Sequence, residues 1–235
     1  PLSQAPHEAY GLDAAAFDED GFYAYHLHIP QKAMMAKASS SDGSPVTDNQ
    51  IDTTPADQKF GLLYCAKDLL NPFEATTKAN QELGLLLFDP LFKLDDNFKL
   101  VNVLAKSFEQ KDNTITVTLK NQLKFSDASV ITADDIVFSF DEAKKSETYK
   151  YTLSGIVSCE RVSDSTVRFK TAKKDIFAVN LLTFPIVKSG STERFDADNV
   201  ALEPIGCGRY VFDRSQMALT LNNFYHTTGF NIKKI

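Results

Sequence analysis

The 235-residue chain is 43% hydrophobic and 24% charged, a balance that excludes disorder throughout and leaves room for one large domain or two modest ones. Its formal net charge of -6 comes with no basic stripe, which argues against nucleic acid or an anionic membrane surface as a partner. No apolar run approaches the roughly 20 residues that span a bilayer. The first residues, PLSQAPHEAY, lack the regions of a signal peptide, so either the chain is cytosolic or a targeting segment has been removed.

Residues 1–58 read as an N-terminal extension or linker. PLSQAPHEAYGLDAAAFDEDG is acidic and rich in small residues, and Ser39 to Gln58 is a long polar stretch with Pro, Gly and Asp. Between them, GFYAYHLHIP alternates Tyr23, Tyr25 and Leu27 against Phe22, Ala24, His26 and His28, the pattern of a short strand. His26 and His28 would share a face at a spacing two metal-binding imidazoles could use, but no third ligand is evident nearby and no metal is expected.

From Lys59 the texture becomes globular, and 59–235 reads as one body. KFGLLYCA is a short apolar strand ended by Asp68, with Leu70-Asn71-Pro72 marking the exit. Leu83, Leu86 and Leu87 fit one face of a buried helix stopped by Asp89-Pro90. TITVTLK, Thr114 to Lys120, alternates strictly after the turn Lys111-Asp112-Asn113. A strand near Val162 pairs with Thr166–Thr171 across Ser163-Asp164-Ser165. A helix is predicted over Ile176–Leu182, then a Gly-punctuated turn and two strands in PIGCGRYVFDRSQMALTLNN. Cys65, Cys159 and Cys207 are too few and scattered for a disulfide scaffold or metal clip, and read as small buried thiols. The chain shows no internal repeat, P-loop, G-x-S-x-G or HExxH.

KFSDASVITADDIVFSF, Lys124 to Phe140, changes rhythm midway, from a strand end to apolar residues at helical spacing. Thr132 is placed as an N-cap, with its hydroxyl accepting the Asp135 N–H and the Asp135 carboxylate reaching back to the Thr132 N–H, a capping box worth about 1 kcal/mol. Ile136, Val137 and Phe140 then bury the helix. Asp134 and Asp135 sit in the first turn, where negative charge meets the positive end of the helix dipole. Neighbours on a helix point about 100° apart, so the two acids do not face one substrate as a catalytic pair.

The same stretch resembles a segment of the extracellular solute-binding proteins of peptide-type ABC transporters, the oligopeptide, dipeptide and nickel group, which reads W-S-D-G-x-P-[VF]-T-A-x-D-V-x-[YF]-S. LNPFEATTKANQELGLLLFDPLFKLDDNFKLVNVLAKSFE resembles that family's opening, with "LNP", "L-x-x-P-L" and "P-x-L-A-x-S-W". TITVTLKNQLKFSD resembles its hairpin, EPIGCGRYVFDR its "P-[IV]-G-T-G-P-Y-x-F", and NNFYHTTGFNIKKI the strand that closes the first lobe. The resemblance covers about residues 59–235 in the family's order, whereas residues 1–58 match nothing in it. Ser40 to Gln50 echoes its "S-D-G-x-P-V-T" without the helix that should follow.

The departures mark a divergent member. Phe108, Phe125 and His226 stand where Trp is usual, Asn121-Gln122 and Ala128 where glycine makes tight turns, and Cys207 where Thr sits between Gly206 and Gly208. Members are also much longer, and this chain ends where the first lobe hands over to the second.

The resemblance implies an α/β fold of mixed α+β character: a periplasmic-binding-protein-like N-terminal lobe with a mixed sheet, flanking helices and β-hairpins. It implies a non-catalytic receptor without cofactor, extracellular or periplasmic, tied to the membrane through a removed N-terminal signal or lipoprotein segment. Its partners would be a short peptide or similar small solute and the membrane subunits of an ABC permease, with the second lobe absent from this chain. By position in the family's pattern, Thr76, Thr77 and Lys78 lend backbone to the ligand, and Tyr149 or Tyr151 stands at the cleft edge. The plain alternatives are a loop before a helix and packing tyrosines. A rival function is a free-standing ligand-sensing or protein-interaction module derived from one lobe.

Overall fold

A computed structural model of the chain describes residues 22–23, 61–191, 205–228, 232 and 234–235. It divides into two units, residues 1–66 with Ile235, and residues 67–234. In the first unit, strands β1 (Phe22–Tyr23) and β2 (Tyr64–Cys65) pair antiparallel, Phe22 opposite Cys65. The expected polar linker and the pair His26 and His28 lie outside the described residues.

The second unit opens with helix α1 (Lys78–Leu87), which buries Asn80, Leu83, Gly84 and Leu87; Leu86, predicted for this face, is half-buried. Thr77 caps it, the side chain accepting the Asn80 N–H. At the other end the Phe88 N–H closes the last turn on the Gly84 carbonyl, and Asp89-Pro90 prevents a further one. A hairpin of β3 (Phe92–Leu94) and β4 (Leu100–Asn102) follows.

The core is a four-stranded sheet in the order β5 (Ala105–Lys111), β6 (Thr114–Leu119), β8 (Thr166–Thr171), β7 (Ile156–Ser163). Both hairpins read from alternation are present, with turns where they were expected. Period-2 side chains put Ile115, Val117, Leu119, Val167 and Phe169 on one buried face. Helix α2 (Ala133–Lys145) covers that face with Ile136, Phe140 and Ala143, and Val137 lies at the margin. Phe140, Phe169 and Phe184 meet with ring centroids 5.7–6.4 Å apart, mostly edge to face. Every ladder among the described residues is antiparallel, so the mixing is of helices with sheets rather than of strand directions.

The capping box at Thr132 is present: the Asp135 carboxylate accepts the Thr132 N–H at 2.8 Å and its hydroxyl at 3.0 Å. Gln122 and Ala128, at the two turns where the family uses glycine, keep left-handed backbone with φ of 58° and 70°, a conformation costing about 1 kcal/mol for a residue with a Cβ.

One expected element is corrected. Ile176–Leu182 is not an α-helix; only a 3-10 turn, Ala178–Leu181, forms. Asp175 accepts the Phe177 N–H, Ile176 and Phe177 stay exposed, and the chain is drawn off at Pro185, which bridges to Pro90. An amphipathic face with two of its large residues in water cannot hold a full helix. The predicted closing pair forms as β9 (Tyr210–Asp213) and β10 (Ala218–Leu221).

Candidate functional site

The Thr76–Lys78 loop is built around Asp68, a residue that sequence reasoning treated only as a strand terminator. Its carboxylate accepts the Thr76 N–H at 3.1 Å, the Thr76 hydroxyl at 3.0 Å, the Thr77 N–H at 2.8 Å and the Thr77 hydroxyl at 2.6 Å. Thr77 in turn caps α1, so one buried acid sets both the loop and the start of the helix. Burial pushes the Asp68 carboxyl up, but the bonds from Thr77 and Thr76 outweigh this and hold it below its ordinary value. The carboxylate therefore contributes stability above about pH 4, and that contribution is lost as pH falls through the depressed folded value. Asp68→Ala should cost about 2 kcal/mol in urea denaturation at pH 7, with the gap from the native chain narrowing at pH 3. A gap unchanged between the two pH values would contradict this account.

Tyr149 is half-buried and meets Phe73 edge to face, centroids 5.8 Å apart and planes at 80°. That contact brings Tyr149 beside the segment leading into Thr76. Tyr151 is different. It is 76% exposed, with the Lys150 ammonium 5.0 Å over its ring. Lys78 opens α1 and pairs with Glu82 at 3.1 Å, both exposed. Of the five expected residues, Thr76 and Thr77 share the Asp68 carboxylate, Lys78 follows them at the start of α1, Tyr149 packs on Phe73, and Tyr151 is exposed.

Next to Tyr149 lies an open cavity of about 370 Å³. Its apolar walls come from Leu85, Phe88, Pro90, Leu94 and Pro185, and its polar groups are Lys93, Tyr149 and Thr183. The Pro90–Pro185 bridge and the Ile186 N–H to Asp89 carbonyl bond of 3.0 Å fix its floor.

Beneath Lys93 sits Asp89, 2% exposed. One oxygen takes the Lys93 ammonium at 2.8 Å, the other faces His226 Nε2 at 3.2 Å, and the Tyr225 side chain also hydrogen-bonds to it. Burial raises this carboxyl, yet the bonds from His226 and Lys93 prevail and hold it below its ordinary value. Thr227 Oγ1 lies 3.0 Å from His226 Nδ1, which is consistent with a proton on Nε2 facing Asp89. Burial pushes the Cys207 thiol up to about 12, and its sulfur receives the Asp89 N–H at 3.4 Å. A thiol so placed is a packing group, not a nucleophile.

Asp134 and Asp135 serve different partners. Asp134 pairs with Arg161 at 2.8 Å, whereas Asp135 holds the cap and accepts the Ser189 N–H at 2.9 Å. Among the described residues, no group of three or more His, Cys, Asp or Glu could hold a metal ion, and no helix is long and apolar enough to cross a membrane. The Asp89–Lys93 pair is four residues apart, but nothing local announces the cavity or the burial of Asp89, whose other partners His226 and Cys207 lie 137 and 118 residues away.

Residues 99–235, more than half of the chain, match the model of the bacterial extracellular solute-binding proteins, family 5 middle. Glutathione-binding protein GsiB of Escherichia coli O1:K1 is 27% identical over 152 residues, 61% of this chain and 30% of that protein. Its counterpart in Salmonella typhi is 27% identical over 149 residues, 60% of this chain and 29% of that protein. This chain therefore spans less than a third of the length of these relatives. NikA from Brucella suis, solved with Fe(III)-EDTA, superposes with a TM-score of 0.59 at 20% identity, over 70% of this chain and 36% of that one. The Escherichia coli murein tripeptide binding protein MppA gives 0.55 at 22%, over 66% and 36%.

Proposed function

We infer that this chain, which belongs to the bacterial extracellular solute-binding proteins of family 5, forms the first lobe of a receptor that captures a short peptide or similar solute for an ABC permease. The observation that carries the reading is the Phe73–Tyr149 contact, which sets the segment just before the Thr76–Lys78 loop against a tyrosine that lines the open cavity. Relatives named for glutathione and for a murein tripeptide favour a small peptide-like guest. The role is binding without catalysis: the adjacent acids are spent on a helix start and an ion pair, and the Cys207 thiol is held protonated.

In this reading the loop is a rigid frame. Asp68 occupies the N–H groups of Thr76 and Thr77, so a ligand meets the Thr76 carbonyl and the Lys78 side chain. Backbone pairing of that kind gives affinity without reading sequence. The second lobe of the receptor would close over the guest, which contacts both lobes only in the closed arrangement and so shifts the population toward it. The receptor works outside the cytoplasm, held at the membrane through an N-terminal segment.

Calorimetry with short peptides tests this. The 235-residue chain should bind them weakly, with Kd above about 0.1 mM, and a longer form carrying the second lobe about a hundredfold tighter, near 2.7 kcal/mol of added contact. Submicromolar one-to-one binding to this chain alone, or a stable second protein that co-purifies in place of a peptide, would favour the free-standing module instead.

A further inference from the structure

The cavity beside Tyr149 has an electrostatic asymmetry. Among the residues that line it, Lys93 alone is charged. Its ammonium gives one N–H to Asp89 and is held in place by a carboxylate that is itself 2% exposed. Both Asp89 oxygens are engaged, by Lys93 and by His226, so the acid presents no free acceptor to the cavity. Lys93 remains half exposed, with two further N–H donors for a ligand. Its apolar lining includes Phe88, Pro90 and Pro185, all buried in the fold. At about 370 Å³ the space is near the lower end of the 300–1,000 Å³ typical of small-ligand pockets, room for one residue rather than a chain.

Resting on the peptide-capture reading, we propose that this cavity receives the carboxyl-terminal residue of a short peptide, its apolar side chain against Phe88, Pro90 and Pro185 and its carboxylate on Lys93. The opposite orientation is disfavoured, because a peptide amino terminus would meet a like charge at the rim. A polar side chain would leave its donors unpaired against two prolines and a phenylalanine, a desolvation cost without return. The pocket therefore selects peptides with a free carboxyl end that finish in Leu, Ile, Val, Met or Phe.

The test is an NMR titration of the ¹⁵N-labelled chain with N-acetyl-leucine, N-acetyl-leucinamide and N-acetylglycine at millimolar concentrations. N-acetyl-leucine should shift the amides of Phe88, Lys93 and Leu94, and its amide should bind about tenfold more weakly, the effect of losing one charge-assisted hydrogen bond. N-acetylglycine should be weaker than N-acetyl-leucine for want of the side chain. Lys93→Arg should keep the preference for acid over amide. Because Lys93→Met alone strands the Asp89 charge, Lys93→Met is combined with Asp89→Asn, and this double variant should bind acid and amide within about twofold, the fold-change left when the charge term is gone. Equal binding of acid and amide by the native chain overturns the proposal, as do shifts confined to residues away from the cavity. If a leucine-ended tripeptide perturbs the Thr76–Lys78 amides and not those of Phe88 and Leu94, this subsite falls while the capture reading stands.

Discussion

Gly208→Ala is expected to destabilise the second unit by about 3 kcal/mol or more, the upper end of what overpacking costs, because what a Cβ would meet there is main chain. An added Cβ would lie 2.5 Å from the Leu86 oxygen, 2.5 Å from the Leu87 carbonyl carbon and 2.6 Å from the Phe88 nitrogen. None of those atoms is the end of a flexible side chain. The Gly208 N–H donates to the Leu87 carbonyl at 2.8 Å, so any shift that relieves the clash also breaks a bond that caps the end of α1. Gly206 is packed as closely, with an added Cβ 2.0 Å from the Leu87 oxygen, and Gly206→Ala should behave alike. Gly84→Ala is the internal control. It sits mid-helix with its nearest neighbour, Pro72 Cβ, 3.8 Å from an added Cβ, and should raise stability by about 0.5–1 kcal/mol. Urea midpoints of the three variants check the set; a neutral Gly208→Ala would mean that the segment before β9 does not lie against the helix end.

Asp89→Ala should cost about 3 kcal/mol and Asp89→Asn about 2, less than the full loss for a buried pair because the Lys93 partner is half exposed. The carboxylate holds Lys93 on one oxygen and His226 on the other and also bonds the Tyr225 side chain, so its removal leaves three groups without their acceptor. The asparagine keeps one acceptor but turns an NH₂ toward a second donor. The pH dependence has a definite sign. A carboxyl held below its ordinary value in the fold contributes fully above about pH 4, and that contribution fades as pH falls through the folded value. Thermal denaturation from pH 7 to pH 3 should bring the native and Asp89→Asn curves together at the acid end. Curves that stay parallel would show that the acid adds no charge-dependent stability.

Several elements were legible because their determinants are local. The capping box at Thr132 needs only two residues three apart, and both hairpins follow from alternation on either side of a short turn. The Ile176–Leu182 stretch misled for the complementary reason. Its spacing suits a helix, but Ile176 and Phe177 find nothing to pack against, and the segment is fixed instead by Asp175 and by the strand-like bridge at Pro185. Thr76 and Thr77 could be singled out by position, yet the acid that organises them is eight and nine residues upstream, across the Leu70-Asn71-Pro72 turn, where no helical or strand period links them.

Taken alone, the amino-acid order determined the family resemblance, the two hairpin turns at Asp112 and Asp164, the start of α2 at Thr132 and the structural role of Asp134 and Asp135, since each depends on neighbours within a few positions. Tertiary structure alone decided that Asp89 meets Cys207 and His226, 118 and 137 residues away, and that Lys93, held by that buried acid, lines a largely apolar cavity. Hydrophobic periodicity tells a side chain to leave water; it does not say which distant side chain will be waiting there.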